Sequence, residues 1–248
     1  MRLADGVEML ELPISSFTGQ NIIYPTLTWD NDTVVLVDAG FPGQLKQIRE
    51  AMAQAGVSFN RLDKVIVTHQ DIDHIGGLPD IILESSHKVE VLSHEEEKPY
   101  IEGRKPLIKM NQERLSKTLA SLPEKQKQRA EALFANPPKA SVDTAVADME
   151  VLPYCGGMTA IFTPGHTPGH ICLYLNQSNI LISGDALIVE DGELRGPNPR
   201  ATYDMDTALK SLKKFTRYDI ETVVCYHGGV YKDNPNKRLA ELASAADL

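Results

Sequence analysis

Short runs of β-branched and aliphatic residues, broken by turn residues, fill the first third of the chain: VEMLELPI (7–14), NIIYPTLTW (21–29) and DTVVLVDAG (32–40), the last closing on Asp38-Ala39-Gly40. Runs bounded by Gly, Pro, Asn and Asp in this way predict sheet strands. From Phe41 to about Gln54 the period changes. Leu45, Ile48 and Met52 recur at helical spacing with charged residues between them, and Gly56 follows as a stop signal, which predicts a surface helix. A further strand, KVIV (64–67), runs straight into THQDIDHIGG, after which a short helix is expected to begin at or just after Asp73.

Over about 94–138 the pattern weakens to a Lys/Glu/Gln-rich segment with faint helical periodicity (IKMNQERLSKTLASL, EKQKQRAEALF) that ends in Asn-Pro-Pro. It reads as a helical insert, either a solvated cap over the sheet or a substrate lid, and position alone does not choose between them. From Asp143 the strands return as TAVADMEVLP, MTAIFTPG, GHICLYL and NILISGDAL. A helix around Met205 to Tyr218, with Asp204 as a capping candidate, a strand ETVVCYHGG and a terminal helix KRLAELASAA then follow. Two β-rich halves around a helical insert, with helices flanking, predict two sheets between helical layers, in a single domain over 1–248, rather than alternating βαβ units.

A chain of 248 residues with 42% hydrophobic residues can bury a substantial core, so disorder is not expected. A formal charge of −9 opposes a polyanion, and no nucleic-acid partner is expected; a small-molecule substrate is. Cys155, Cys172 and Cys225 lie far apart with no C-x-x-C pair, which argues against a disulfide framework or a thiolate zinc module and for three small buried apolar side chains. The opening MRLADGVEMLELP has no apolar core flanked by basic residues, and nowhere do about 18 apolar residues run together. No membrane association is expected, and a cytoplasmic location is; the oligomeric state stays open.

Of the seven histidines, His69, His74, His166 and His227 stand at predicted strand ends or beside glycines just past them. Imidazole nitrogen with carboxylate oxygen is the ligand mix of zinc, iron or manganese. His69, Asp71, Asp73 and His74 crowd six residues, more tightly than one ion can use, so two adjacent divalent ions are expected. One would take the first two side chains and the other the last two, with distant His166, His227 and Asp185 completing the sets and the Asp185 carboxylate able to bridge. His170 is expected as a hydrogen-bonding or packed residue, His87 and His94 as surface residues, and Tyr226 on the strand face away from the site. Arg195 and Arg200 fall on a rim loop.

The stretches THQDIDHIGG, TPGHTPGH, SGDAL and CYHGG, in that order and over about 20–230, resemble the metallo-β-lactamase-fold hydrolase superfamily. The resemblance implies a mixed α/β (α+β) fold, a four-layer αββα sandwich with metals at one edge of its sheets. It implies His69 and His166 on the first metal, Asp73, His74 and His227 on the second, and Asp185 bridging. One departure stands out: the family pattern is usually His-x-His-x-Asp-His, and Asp71 occupies the second His position. Either the first site is weakened, or Asp71 ligates and makes a harder, more anionic site that favours iron or manganese over zinc. The latter parallels flavodiiron proteins, relatives with a glutamate there. The implied function is hydrolysis of a small ester, thioester or lactone by dinuclear-metal-activated water, with Asp73 orienting the water and passing its proton to the leaving group. The alternative is a metal-binding member with weak or no catalysis. Asp185 argues against a true β-lactamase, and Ile188 stands where similar lactonases carry a tyrosine.

Overall fold

The strand Val34–Val37 is apolar and buried at every position because its two faces meet different cores. Val34 and Leu36 pack with Ile48 and Met52 of the helix Leu45–Gln54 and Ile81 of the helix Leu78–Glu84. Val35 and Val37 turn the other way, onto Ala160, Leu173 and Val224 of a second sheet. The strand Ile171–Leu175 repeats the division: Ile171, Leu173 and Leu175 face between the sheets, while Cys172 and Tyr174 pack under Leu212, Phe215 and Leu239. Unbroken apolar runs are what strands covered on both faces need. The layers are therefore helix, sheet, sheet, helix, the αββα sandwich expected. This is a computed structural model, and it describes residues 1–16 and 19–245.

Among these residues the first sheet runs in the order Arg2–Ala4, Val7–Met9, Thr26–Trp29, Val34–Val37, Lys64–Ile66, Glu90–His94, Thr144–Val146, and its last four strands are parallel. The second runs Val151–Leu152, Met158–Phe162, Ile171–Leu175, Ile180–Ile182, Thr222–Cys225, Gly229–Tyr231. Met158–Phe162 and Ile180–Ile182 both lie antiparallel to Ile171–Leu175, and Thr222–Cys225 is parallel to Ile180–Ile182, so these three end at one edge. Loops following the carboxyl ends of parallel strands are where open α/β sheets place ligands. Asp38 and His69 follow such ends in the first sheet; His166, Asp185 and His227 follow them in the second.

Several expected elements differ in detail. The run 7–14 is two strands, Val7–Met9 in the first sheet and Leu12–Ser16 in a separate hairpin with Gly19–Ile23, and Tyr24-Pro25 separates that hairpin from Thr26–Trp29. TAVADMEVLP crosses between sheets, through a turn in which Met149 has φ 64°. Glu90–His94 is a strand where none was expected, at the margin of the insert. His94 is not a surface residue: it is buried and stacks on Phe162, 4.2 Å between ring centroids. The insert comprises the helices Lys98–Ile101, Gln112–Ser121 and Glu124–Ala135. The helix Met205–Ser211 is capped by Asp204, whose Oδ1 accepts from Thr207 N at 3.0 Å. No helix among the described residues is long and apolar enough to cross a membrane.

Candidate metal centre

Past Ile66 the chain leaves the first sheet, and Asp38, at the end of the neighbouring strand, catches it. Thr68 donates from its backbone N (2.8 Å) and its hydroxyl (2.8 Å) to the Asp38 carboxylate, and His74 Nδ1 lies 2.9 Å from Asp38 Oδ2. Asp38 sits at φ 65°, a conformation costly for most side chains and more tolerable for Asp. Its three donors hold it there. Asp71 is the N-cap of the short helix Ile72–Ile75, which turns Asp73 and His74 toward the sheet edge. Gly77 lets this segment lie against the Asp38 loop, since a Cβ there would come 2.2 Å from the Ala39 carbonyl oxygen.

In the second sheet, His170 fixes the Asp185 loop. Its Nε2 accepts from Asp185 N at 3.1 Å, its Nδ1 meets the Thr163 hydroxyl at 2.8 Å, and burial with the nearby His166 holds its pKa well below the ordinary imidazole value. A neutral ring with one acceptor nitrogen is what that geometry requires. Gly184 admits the ring, because a Cβ there would lie 2.7 Å from His170 Nε2. Tyr226, expected to face away, instead packs on His74 with ring centroids 3.8 Å apart and donates its hydroxyl to the Asp73 carbonyl.

The structure brings all seven candidate ligands together in two adjacent sets, His69, Asp71, His166 and Asp185 in one and Asp73, His74 and His227 in the other. Asp185 stands between them. Its Oδ2 is 3.3 Å from His166 Nε2, 3.5 Å from His227 Nε2 and 4.0 Å from His69 Nε2, while its Oδ1 is 3.4 Å from His74 Nε2. Asp71 Oδ2 lies 3.1 Å from His166 Nε2 and 3.3 Å from His69 Nε2, and Asp73 Oδ2 lies 3.2 Å from His227 Nε2. His69 Nε2, His74 Nε2 and Asp185 Oδ1 are buried without a hydrogen-bond partner. Buried polar atoms rarely go unsatisfied, and a converging set of nitrogen and carboxylate donors suits a divalent cation.

The electrostatics agree. Burial opposes charge on His74, but the Asp38, Asp185 and Asp73 carboxylates outweigh it and hold its pKa well above the usual value. Burial likewise opposes charge on half-exposed His227, and Asp185 and Asp73 raise it to about 10. Asp185 is held well below the carboxylate range despite its burial by His227, His74 and His166. In the metal-free chain two protonated imidazoles thus take the place of a cation. The raised His227 contributes stability fully present below about pH 6.5 and lost as pH rises through about 10. Metal binding between pH 7 and 9 is therefore expected to release at least about one proton per chain and to tighten as pH rises. Calorimetry in buffers of different ionisation enthalpy checks this, and identical heats in all of them would contradict it.

Three residues of the centre escape the sequence pattern. Asp38 could have been suspected as a carboxylate at a strand end, as Asp185 was. Glu97, in the charged run EEEK, is fully buried: Oε2 accepts from Gln70 N (2.8 Å) and Nε2 (3.0 Å), and Oε1 accepts from Gly169 N (2.7 Å). It ties the loop of His69 and Asp71 to the loop of His166. Lys109, from the insert, contacts Asp71 Oδ2 and His166 Nε2. The insert also roofs a cavity of about 200 Å³, where Leu107, Met110, Leu133 and Phe134 face Asp71 and Asp73. Arg195 and Arg200 line a separate cavity.

Residues 19–227 match the family described as the metallo-beta-lactamase superfamily. The chain is 30% identical over 243 residues to the probable metallo-hydrolase YflN of Bacillus subtilis, covering 91% of this chain and 84% of that protein. It is 24% identical over 247 residues to the atrochrysone carboxyl ACP thioesterase AgnL7 of Paecilomyces divaricatus, covering 96% and 62%. In fold it is similar to the crystal structure of the metallo-beta-lactamase family protein TTHA1429 from Thermus thermophilus, with a TM-score of 0.72 at 23% identity over 99% of this chain and 81% of that one.

Proposed function

This chain belongs to the metallo-beta-lactamase superfamily and is a metallo-hydrolase of it, and on that premise we propose that it cleaves a small ester, thioester or lactone at a dinuclear centre. The observation that carries the proposal is the Asp185 carboxylate set between two donor clusters whose buried atoms lack other partners, one member of each cluster, Asp71 and Asp73, lining a largely apolar cavity. His69, Asp71, His166 and Asp185 would hold one ion; Asp73, His74, His227 and Asp185 the other. With two carboxylates in the first set, iron or manganese is preferred over zinc.

Bound divalent ions would supply Lewis acidity, polarising a substrate carbonyl and acidifying a water. The chain's own residues do the rest. Asp73 faces both the cavity and His227, so its carboxylate can orient a water, take its proton and hand it to the leaving group. Leu107, Met110, Leu133 and Phe134 offer an apolar surface that would receive the acyl portion, which makes the insert a lid. The cavity of about 200 Å³ is small, which suits a small acyl group better than a large one. The likeness to an acyl-carrier thioesterase supports a thioester among the substrates.

No cysteine competes as a nucleophile: burial raises the thiols of Cys155 to about 11 and Cys225 to about 12, and that of Cys172 further still. The test is metal content by plasma mass spectrometry on protein purified without chelators, followed by assay of the manganese-, iron- and zinc-loaded forms on aryl esters, acyl thioesters and lactones of graded chain length. Turnover that favours short acyl chains is expected. Loaded protein with no turnover on any of the three classes would move the chain to the non-catalytic, metal-binding reading.

A further inference from the structure

The two donor sets are alike in chemistry but not in surroundings. The ion pairs of Asp73, His74 and His227 run to one another, to Asp38 and to Asp185. The first set has a guest from the insert: the Lys109 ammonium, whose side chain is only 11% exposed, contacts Asp71 Oδ2 and His166 Nε2. These are the very atoms that would hold an ion. The lysine is presented by a braced turn. Ile108 N donates to Gln70 Oε1 at 2.8 Å, Met110 N donates to the Leu107 carbonyl at 3.0 Å, and Leu107 is buried in the core. Gln70 is in turn held by Glu97.

We infer that Lys109 is a resident cation of the first site, so that the two sites load unequally: the Asp73, His74 and His227 set fills first, and an ion enters the other only by displacing the ammonium. The inference rests on the metal-centre reading. An ammonium and a divalent ion cannot share Asp71 Oδ2 and the lone pair of His166 Nε2, and the like charges repel at such close range. Entry at the first site loses the ammonium's charge-assisted contact and leaves that charge tethered beside the ion, whereas entry at the second displaces only protons, which leave for solvent. The braced turn keeps the displaced ammonium at the cavity mouth, where it also lines the space above Asp71 and Asp73.

The test is equilibrium titration of the metal-free, full-length protein with manganese and, separately, zinc against a chromophoric chelator, for wild type, Lys109→Met, Lys109→Gln and Lys109→Arg. Wild type should show two affinities at least about tenfold apart, the scale of one charged hydrogen bond. The uncharged variants should bring the weaker affinity up by about that factor and leave the tighter one unmoved, whereas arginine should preserve the gap. Thermal melts give a second readout: loss of the ammonium should lower the metal-free midpoint while enlarging the rise on metal addition, which a lysine that merely packs would not do. Equal affinities in wild type, or a gap that survives both uncharged replacements, would overturn the inference alone. Wild-type protein that binds no ion at either site would overturn it together with the metal-centre reading.

Discussion

Asp185→Asn is expected to bring metal content from the two ions per chain proposed above toward one or none and to reduce turnover on the order of a hundredfold or more, with the fold retained. Both carboxylate oxygens face imidazole nitrogens, Oδ1 toward His74 and Oδ2 toward His166, His227 and His69. Whichever way an asparagine amide turns, its N–H group points at a nitrogen that should be a ligand, and the negative charge shared by the two sets is gone. The supporting loop is unaffected, because the bond from the residue 185 backbone N to His170 Nε2 does not depend on the side chain. A second signature belongs to the metal-free protein. There Asp185 raises the His227 pKa against burial, to about 10, so the variant's His227 should titrate nearer the ordinary 6.5 in an NMR pH series. Wild-type metal content with unchanged turnover would remove Asp185 from the centre.

How far the site could be read from the chain depended on the distance over which each residue acts. His69, Asp71, Asp73 and His74 announce themselves because they are crowded within six residues at a strand end, and His166, Asp185 and His227 because each follows a strand beside glycine. Glu97 gives no such signal. Its neighbours form a charged run typical of a solvated face, and its burial comes from Gly169, 72 residues away. Lys109 was equally silent, since a lone lysine between Ile108 and Met110 looks like any polar break in an amphipathic stretch. The layers were legible for a physical reason: strands covered on both faces, such as VVLV and ICLYL, cannot afford polar positions. The crossing between sheets at Thr144–Val146 and Val151–Leu152 was not, because both segments alternate alike and only the left-handed turn at Met149 separates them.

Asp38 shows how a residue outside both ligand sets can still decide one of them. Once a cation has displaced the Nε2 proton, His74 Nδ1–H still donates to Asp38 Oδ2, which keeps Nε2 as the ligating nitrogen on the side of Asp73 and Asp185. Asp38→Asn keeps a side chain that tolerates φ 65° and an oxygen for Thr68 N, but its amide N–H meets His74 Nδ1–H donor to donor. The imidazole escapes the clash by moving its proton to Nε2, which closes that nitrogen to a cation. This variant should therefore stay folded, bind the second-site ion at least about tenfold more weakly, the scale of losing a carboxylate behind a ligating histidine, and lose activity in step. Asp38→Ala adds a structural penalty. It strands His74 and Thr68 in a buried site and forces alanine into a left-handed backbone, for a combined loss of about 3–5 kcal/mol. In a chain of 248 residues that lowers the melting midpoint on the order of 10 °C. Calorimetric melts, metal titration and the His74 ring-nitrogen shifts of the asparagine variant separate the two effects. An asparagine variant whose His74 proton stays on Nδ1 and whose second-site affinity matches wild type would show that Asp38 only holds the loop, not the tautomer.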